Sequence, residues 1–367
     1  MPHRQRSGSG RLPTAAQGRT SRPGRCPRTL RAAASLDLTP GRPDHQPNPP
    51  PTRDQGVRTH EGSRQSSRGQ GCRVRRRCAR AEGSHEAAGT IVEVGAGVEN
   101  LRVGDRVALE SHLPCGHCFA CRTGDAHTCE RTQILGMHFD GVFAERVAVP
   151  HRICVPLPDG VPLETGALLE SAGVAVHAIQ RAGYSVAGRG VLVSGAGPVG
   201  MVVARLASLM GAAYVMVIEP NPFRRAEAER LGVITMEPGD GVTQRSRELS
   251  GHRGGADVAF ECSEAASALP TLFDAVRREG TVVTVGHPGR PVPIDVAAQI
   301  NKRGITPRGI FGRRLWETWE QTLLLLNSGR LDLDWLITHR LQLSQVDEAM
   351  ELLTGDACKV LLVPGLG

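Results

Sequence analysis

The amino-acid sequence predicts an α/β protein with three parts: a doubly wound parallel sheet, a small and incomplete β-barrel domain before it, and a disordered leader at the front. Three observations carry this prediction. After Pro162, apolar runs alternate with segments of helical spacing. Between about residues 89 and 149, short β-like runs are broken by Gly and Asp, and residues 1–80 show neither pattern. Alternating strands and helices imply parallel pairing, because two parallel strands cannot be joined by a tight turn. At 367 residues the chain also exceeds one ordinary core, so two domains are expected.

The leader comes first. Residues 1–80 contain eighteen Arg, no Lys and four acids (Asp37, Asp44, Asp54 and Glu61), while the remainder holds 26 bases against 33 acids. The basic balance of the chain is therefore a property of the leader. Rich in Arg, Pro, Gly and Ser, it has no apolar period of 2 or 3.6 and cannot bury enough surface to offset its ordering entropy. Disorder is expected throughout it. An Arg-rich nucleic-acid arm centred on Arg73, Arg75, Arg76 and Arg77 is disfavoured, because no aromatic side chains interleave to stack on bases. A transit peptide fits the Arg and Ser content but not the prolines. The favoured expectation is a mis-assigned start or shifted frame in G+C-rich DNA. No apolar run approaches the roughly 20 residues that span a bilayer and no signal peptide opens the chain, so a soluble, cytoplasmic protein is expected.

In the β-rich part the strand candidates are Thr90–Val94, Arg106–Leu109 and Phe143–Val149. Further on, Val191–Ser194, Val215–Ile218, Asp257–Glu261 and Thr281–Val285 read as buried strands, with Val199–Met210 and Phe223–Leu231 as helices between them. Trp316–Ser328 and Val346–Leu353 have amphipathic helical spacing, and Lys359–Val363 reads as a last strand. The expected division is a leader over 1–80, a β domain over 81–170 completed by 316–367, and a nucleotide-binding domain over 171–315.

Four of the ten cysteines are clustered: Cys115, Cys118, Cys121 and Cys129, spaced C-x2-C-x2-C-x7-C in a lobe over 112–130. Gly116 and Gly124 let the backbone turn so that four sulfurs converge, and four thiolates form a closed tetrahedral zinc site with no open position. Its role is structural. A ferredoxin-type cluster starts with the same spacing, but its fourth cysteine follows after three residues and precedes proline. Here Glu130 follows Cys129. The pattern also points to a reducing compartment rather than a disulfide framework.

Gly195-Ala196-Gly197-Pro198-Val199-Gly200 follows one strand candidate and opens a helix, the context that makes G-x-G-x-x-G a dinucleotide fingerprint. Gly195 allows the turn, Gly197 the approach of a pyrophosphate and Gly200 the packing of helix on strand, with the helix N-terminus facing the phosphates. Glu219, nineteen residues beyond Gly200, suits the adenosine ribose hydroxyls and repels a 2′-phosphate, which favours NAD over NADP. Arg224 works against that preference.

With both motifs in this order, the chain from about Gly83 onward resembles the zinc-containing medium-chain dehydrogenase family, whose members combine a GroES-like β-barrel domain with a Rossmann domain. Ser84-His85-Glu86-Ala87-Ala88-Gly89 matches that family's Gly-His-Glu-x-x-Gly, with Ser84 at its first glycine. The resemblance implies that His85 is a ligand of a catalytic zinc and Glu86 a ligand or nearby carboxylate. Leu169-Glu170-Ser171 through His177 matches the acidic form of a further ligand segment, making Glu170 the third candidate. Gly309-Ile310-Phe311-Gly312-Arg313, Trp316-Glu317-Thr318-Trp319 and Ile337-Thr338-His339-Arg340 look like segments of threonine 3-dehydrogenases, and His112 fits that subfamily too. Polyol dehydrogenases share some of them.

The chain departs from the family upstream. A Cys-Gly-Ser/Thr-Asp segment is expected about 25 residues before His85, where Thr59-His60-Glu61-Gly62 stands instead; Cys72 and Cys78 lack that context. The resemblance therefore implies an NAD-dependent zinc oxidoreductase acting on an alcohol or a threonine-like amino alcohol, and a homodimer or homotetramer. The alternative is a non-catalytic member that binds NAD and structural zinc, with the basic leader touching nucleic acid.

Overall fold

The computed structural model describes residues 33–37, 84–184 and 186–365. The elements are β1 (Ala33–Asp37), β2 (Ala88–Val94), β3 (Arg106–Leu109), β4 (His112–Leu113), α1 (Phe119–Thr123), β5 (Gln133–Ile134), β6 (Arg146–Pro150), β7 (Cys154–Pro156), α2 (Leu163–Gly166) and α3 (Leu169–Arg181). There follow β8 (Gly190–Ser194), α4 (Pro198–Leu209), β9 (Tyr214–Ile218), α5 (Pro222–Arg230), β10 (Ile234–Met236), α6 (Gly241–Ser250), β11 (Ala256–Glu261), α7 (Ala268–Ala275), β12 (Val276–Thr284) and β13 (Thr306–Gly309). The chain ends with α8 (Glu317–Asn327), β14 (Ile337–Gln342), α9 (Val346–Leu353) and β15 (Lys359–Val363).

The first sheet has the order β6-β1-β2-β3-β7. Its β1 corrects the expectation of a leader disordered throughout. Ala33–Asp37 pairs antiparallel with β2 on one side and β6 on the other, so part of the leader fills an interior place in the sheet. The sequence signal was weak: Leu36-Asp37-Leu38 alternates just before Pro40, and the partners lie some fifty to over a hundred residues downstream. The other leader residues singled out above, including Arg73–Arg77, Cys72 and Cys78, lie outside the described residues. A core of Ile91, Val107, Leu109, Leu135, Val149 and Ile153 fills this domain.

The second sheet is parallel, in the order β10-β9-β8-β11-β12-β13. Every residue of β8 and β11 is buried, as continuous apolar strands are when helices cover both faces. Residues of α3 and α4 pack with Trp319 on one side, and Val242, Leu269, Leu272 and Phe273 of α6 and α7 on the other. β12 begins at Val276 rather than Thr281, because Ala256 and Val276 pair across a register shift that Arg277-Arg278-Glu279 hides in the sequence. β6 likewise starts at Arg146 instead of Phe143. Among the described residues, no helix is long and apolar enough to cross a membrane.

Candidate functional site

The polar triplet Glu110-Ser111-His112 directly follows β3, and α3 opens at Leu169-Glu170, so two element ends bring acids, a hydroxyl and an imidazole together in the interior. All four side chains are buried. The Ser111 hydroxyl donates to Glu170 Oε1 at 2.7 Å and lies 3.2 Å from His112 Nδ1. His85 Nε2 is 3.7 Å from the same Glu170 oxygen. Burial holds the His85 imidazole below its usual pKa against the opposing pull of the Glu170 carboxylate, and its Nδ1 is enclosed without a partner.

At the centre of the cluster lies Arg313, 1% exposed. Its Nε donates to Glu110 Oε2 at 2.7 Å, its Nη1 to Glu170 Oε1, and its Nη2 to Glu110 and to the Ser111 oxygen. Nη2 also lies 2.6 Å from His112 Nδ1. Trp319 Nε1 adds a bond to Glu110 Oε2 at 2.6 Å. Burial alone would raise the Glu110 carboxyl, but the guanidinium overrides it and holds the group far below the usual carboxylate range. The side chain can lie across α3 only because Gly173 has none, since a Cβ there would meet Arg313 Cγ at 2.9 Å. In the sequence Arg313 stands within a family-like segment with no sign of its role, and no motif singles out Glu110 or Ser111. The available signal was a run of polar residues ending an otherwise buried strand.

Glu86 points elsewhere. Its carboxylate pairs with the Lys359 ammonium, which burial lowers to about 8, in a cavity of about 300 Å³ walled by α9 and β15. Among the described residues, therefore, His85 and Glu170 approach each other and no third ligand joins them. A catalytic zinc does not fit this donor set.

The cysteines do fit a metal. The four sulfurs of Cys115, Cys118, Cys121 and Cys129 lie within 4.8 Å of one another, the one such cluster of three or more candidate ligands among the described residues. Backbone N–H groups of Cys115 and Arg131 donate to Cys129 Sγ, as they would to a thiolate. The His117 backbone N–H draws the Cys115 thiol down to about 6.

At the carboxyl end of β8 the glycine turn opens α4, with Pro198 in its first turn. Gly195 has φ +97, and a Cβ on Gly200 would stand 2.0 Å from Gly195 O. Gly197 faces open space, room for a phosphate, and Val199 stands in the first turn of α4. Glu219, just past β9, accepts from Ala196 N at 2.7 Å and from Asn221 N at 2.9 Å, which fixes a buried carboxylate beside the turn. These residues suit a dinucleotide. The Arg224 Nε and Nη2 donate to the carbonyls of Ala357 and Leu353, so this guanidinium braces the C-terminal segment beside the turn.

The Alcohol dehydrogenase GroES-like domain family matches residues 70–159, and the Zinc-binding dehydrogenase family matches residues 198–328. An L-threonine 3-dehydrogenase of Symbiobacterium thermophilum is 38% identical over 287 residues, 77% of this chain and 81% of the relative. One from Pyrococcus abyssi is 41% identical over 285 residues, 76% of this chain and 80% of the relative. The crystal structure of 2R,3R-butanediol dehydrogenase from Bacillus subtilis superposes with a TM-score of 0.69 at 32% identity, covering 77% of this chain and 80% of that one.

Proposed function

This chain belongs to the zinc-containing medium-chain dehydrogenase family, and on that premise we propose that it oxidises a threonine-like amino alcohol with NAD. The relatives favour this reading over a non-catalytic one, and the observation that carries it is the linked set His85, Glu170, Ser111 and His112. When bound, the nicotinamide accepts a hydride. The protein's own groups do the rest. Gly195–Gly200 and the start of α4 hold the pyrophosphate, while Glu219 selects the unphosphorylated ribose. Glu170 and His85 face the substrate hydroxyl. Ser111 joins Glu170 to His112, forming a path of short polar steps along which the hydroxyl proton leaves. Arg313 donates to Glu170 Oε1 and fixes that carboxylate in place. No step is assigned to a catalytic metal, since the described residues do not assemble its ligands. The zinc we propose is the four-cysteine one, and cysteines kept as metal-binding thiolates support a reducing, cytoplasmic setting.

Every residue of β13 is exposed along the sheet edge, and an edge of unpaired N–H and C=O groups supports the proposal of a homo-oligomer. The activity is tested by following NADH formation from L-threonine, butane-2,3-diol and simple primary alcohols, with NADP in parallel. L-Threonine with NAD should give the largest kcat/KM. Absence of NADH with every substrate would remove the proposal.

A further inference from the structure

A second cavity, of about 450 Å³, lies between the cysteine lobe, α3 and the end of β13, lined by Asp125, His127, Thr128, His177, Arg181 and the segment from Gly309 to Phe311. Its two buried imidazoles meet edge to face with ring centroids 5.2 Å apart. His177 Nδ1 donates to Gly312 O at 2.8 Å, which leaves Nε2 of the neutral ring as an acceptor. Nδ1 of His127 is enclosed without a partner. An enclosed bare nitrogen is tolerated better than an enclosed N–H, so the proton of His127 belongs on Nε2. Burial holds the His177 ring below its usual pKa, so it is neutral at neutral pH. At the mouth stand exposed Asp125 and Arg181, neither side chain bonded to another described residue.

We propose that this cavity binds a small zwitterionic α-amino acid. The ligand's ammonium donates to Asp125 and His177 Nε2; its carboxylate accepts from Arg181 and His127 Nε2–H. A simple anion or cation would satisfy only half of this set. The site is separate from the reacting centre: His177 follows Glu170 by seven residues, or about 10 Å along α3, more than one small amino acid spans. It is nonetheless connected to that centre, because Gly312, which His177 holds, precedes the Arg313 that grips Glu110 and Glu170. Occupancy fixes the segment on which the centre depends. The proposal stands whether or not the chain turns over threonine.

Calorimetric titration of the full chain with L-alanine, which has no hydroxyl to oxidise, tests it against acetate and methylamine. L-Alanine should bind, with acetate and methylamine each weaker by about tenfold or more. Asp125→Asn and Arg181→Gln should each weaken alanine by about tenfold, while Glu170→Gln, linked to the cavity only through Arg313, changes it far less. The proposal is overturned by no alanine binding, or by acetate or methylamine binding as well as alanine. Loss of binding in Glu170→Gln with Asp125→Asn and Arg181→Gln unaffected would overturn it too, by placing alanine at the reacting centre.

Discussion

Arg313 and Glu110 are 203 residues apart in sequence and meet in the interior, Nε to Oε2 at 2.7 Å, each at most 1% exposed. Removing one partner of a buried pair strands the other charge, which typically costs about 3–5 kcal/mol. Arg313→Leu strands two carboxylates, Glu110 and Glu170, and should lower stability by at least that amount. Glu110→Leu added to Arg313→Leu should recover much of the loss, because apolar groups replace a charge pair at little net cost. Urea midpoints of the three proteins measure this.

The same pair shows what was legible in the sequence. Gly195–Gly200 and the four cysteines are local patterns whose spacing states their geometry, and buried β8, β9 and β11 announce themselves as apolar runs. Arg313 was opaque because its partners lie 203 and 143 residues upstream, and nothing near it marks a buried arginine. β1 was opaque for a related reason: five residues of modest β propensity are held by pairing on both sides rather than by their own pattern. β13 was hidden by Pro307, which a strand tolerates at a sheet edge. Glu86 resembled a ligand by motif, yet its partner, Lys359, comes from the last strand.

Acid should unfold the protein through Glu110. The Arg313 guanidinium depresses its folded pKa far below the ordinary 4.5, so its contribution to stability is complete above that value and fades as pH falls below it. Urea midpoints should therefore drop between about pH 5 and pH 3. Glu110→Gln should be less stable at neutral pH but show a shallower slope across that interval.

The zinc content should be about one per chain, and Cys129→Ser or a strong chelator should bring it close to zero. Glu170→Gln should leave it unchanged. Elemental analysis by mass spectrometry gives the numbers. Two zinc ions per chain, one of them lost in Glu170→Gln, would show that residues outside the described ones complete a catalytic metal site.

Gly200→Ala should abolish dinucleotide binding, because the new Cβ would stand 2.0 Å from Gly195 O and no side chain can rotate out of the way. Glu219→Gln should weaken NAD by about tenfold or more, since it replaces hydrogen bonds to a charged carboxylate with neutral ones. It should weaken NADP less. Quenching of protein fluorescence during titration with each dinucleotide separates the two.

The most direct test of the proposed activity follows the transferred atom. L-Threonine deuterated at its carbinol carbon is incubated with NAD and the full chain, and the reduced dinucleotide is examined by mass spectrometry. The account predicts NADH carrying one deuterium, with none formed by Glu170→Gln. Unlabelled dinucleotide only, under conditions where NAD binding is demonstrated, would contradict it.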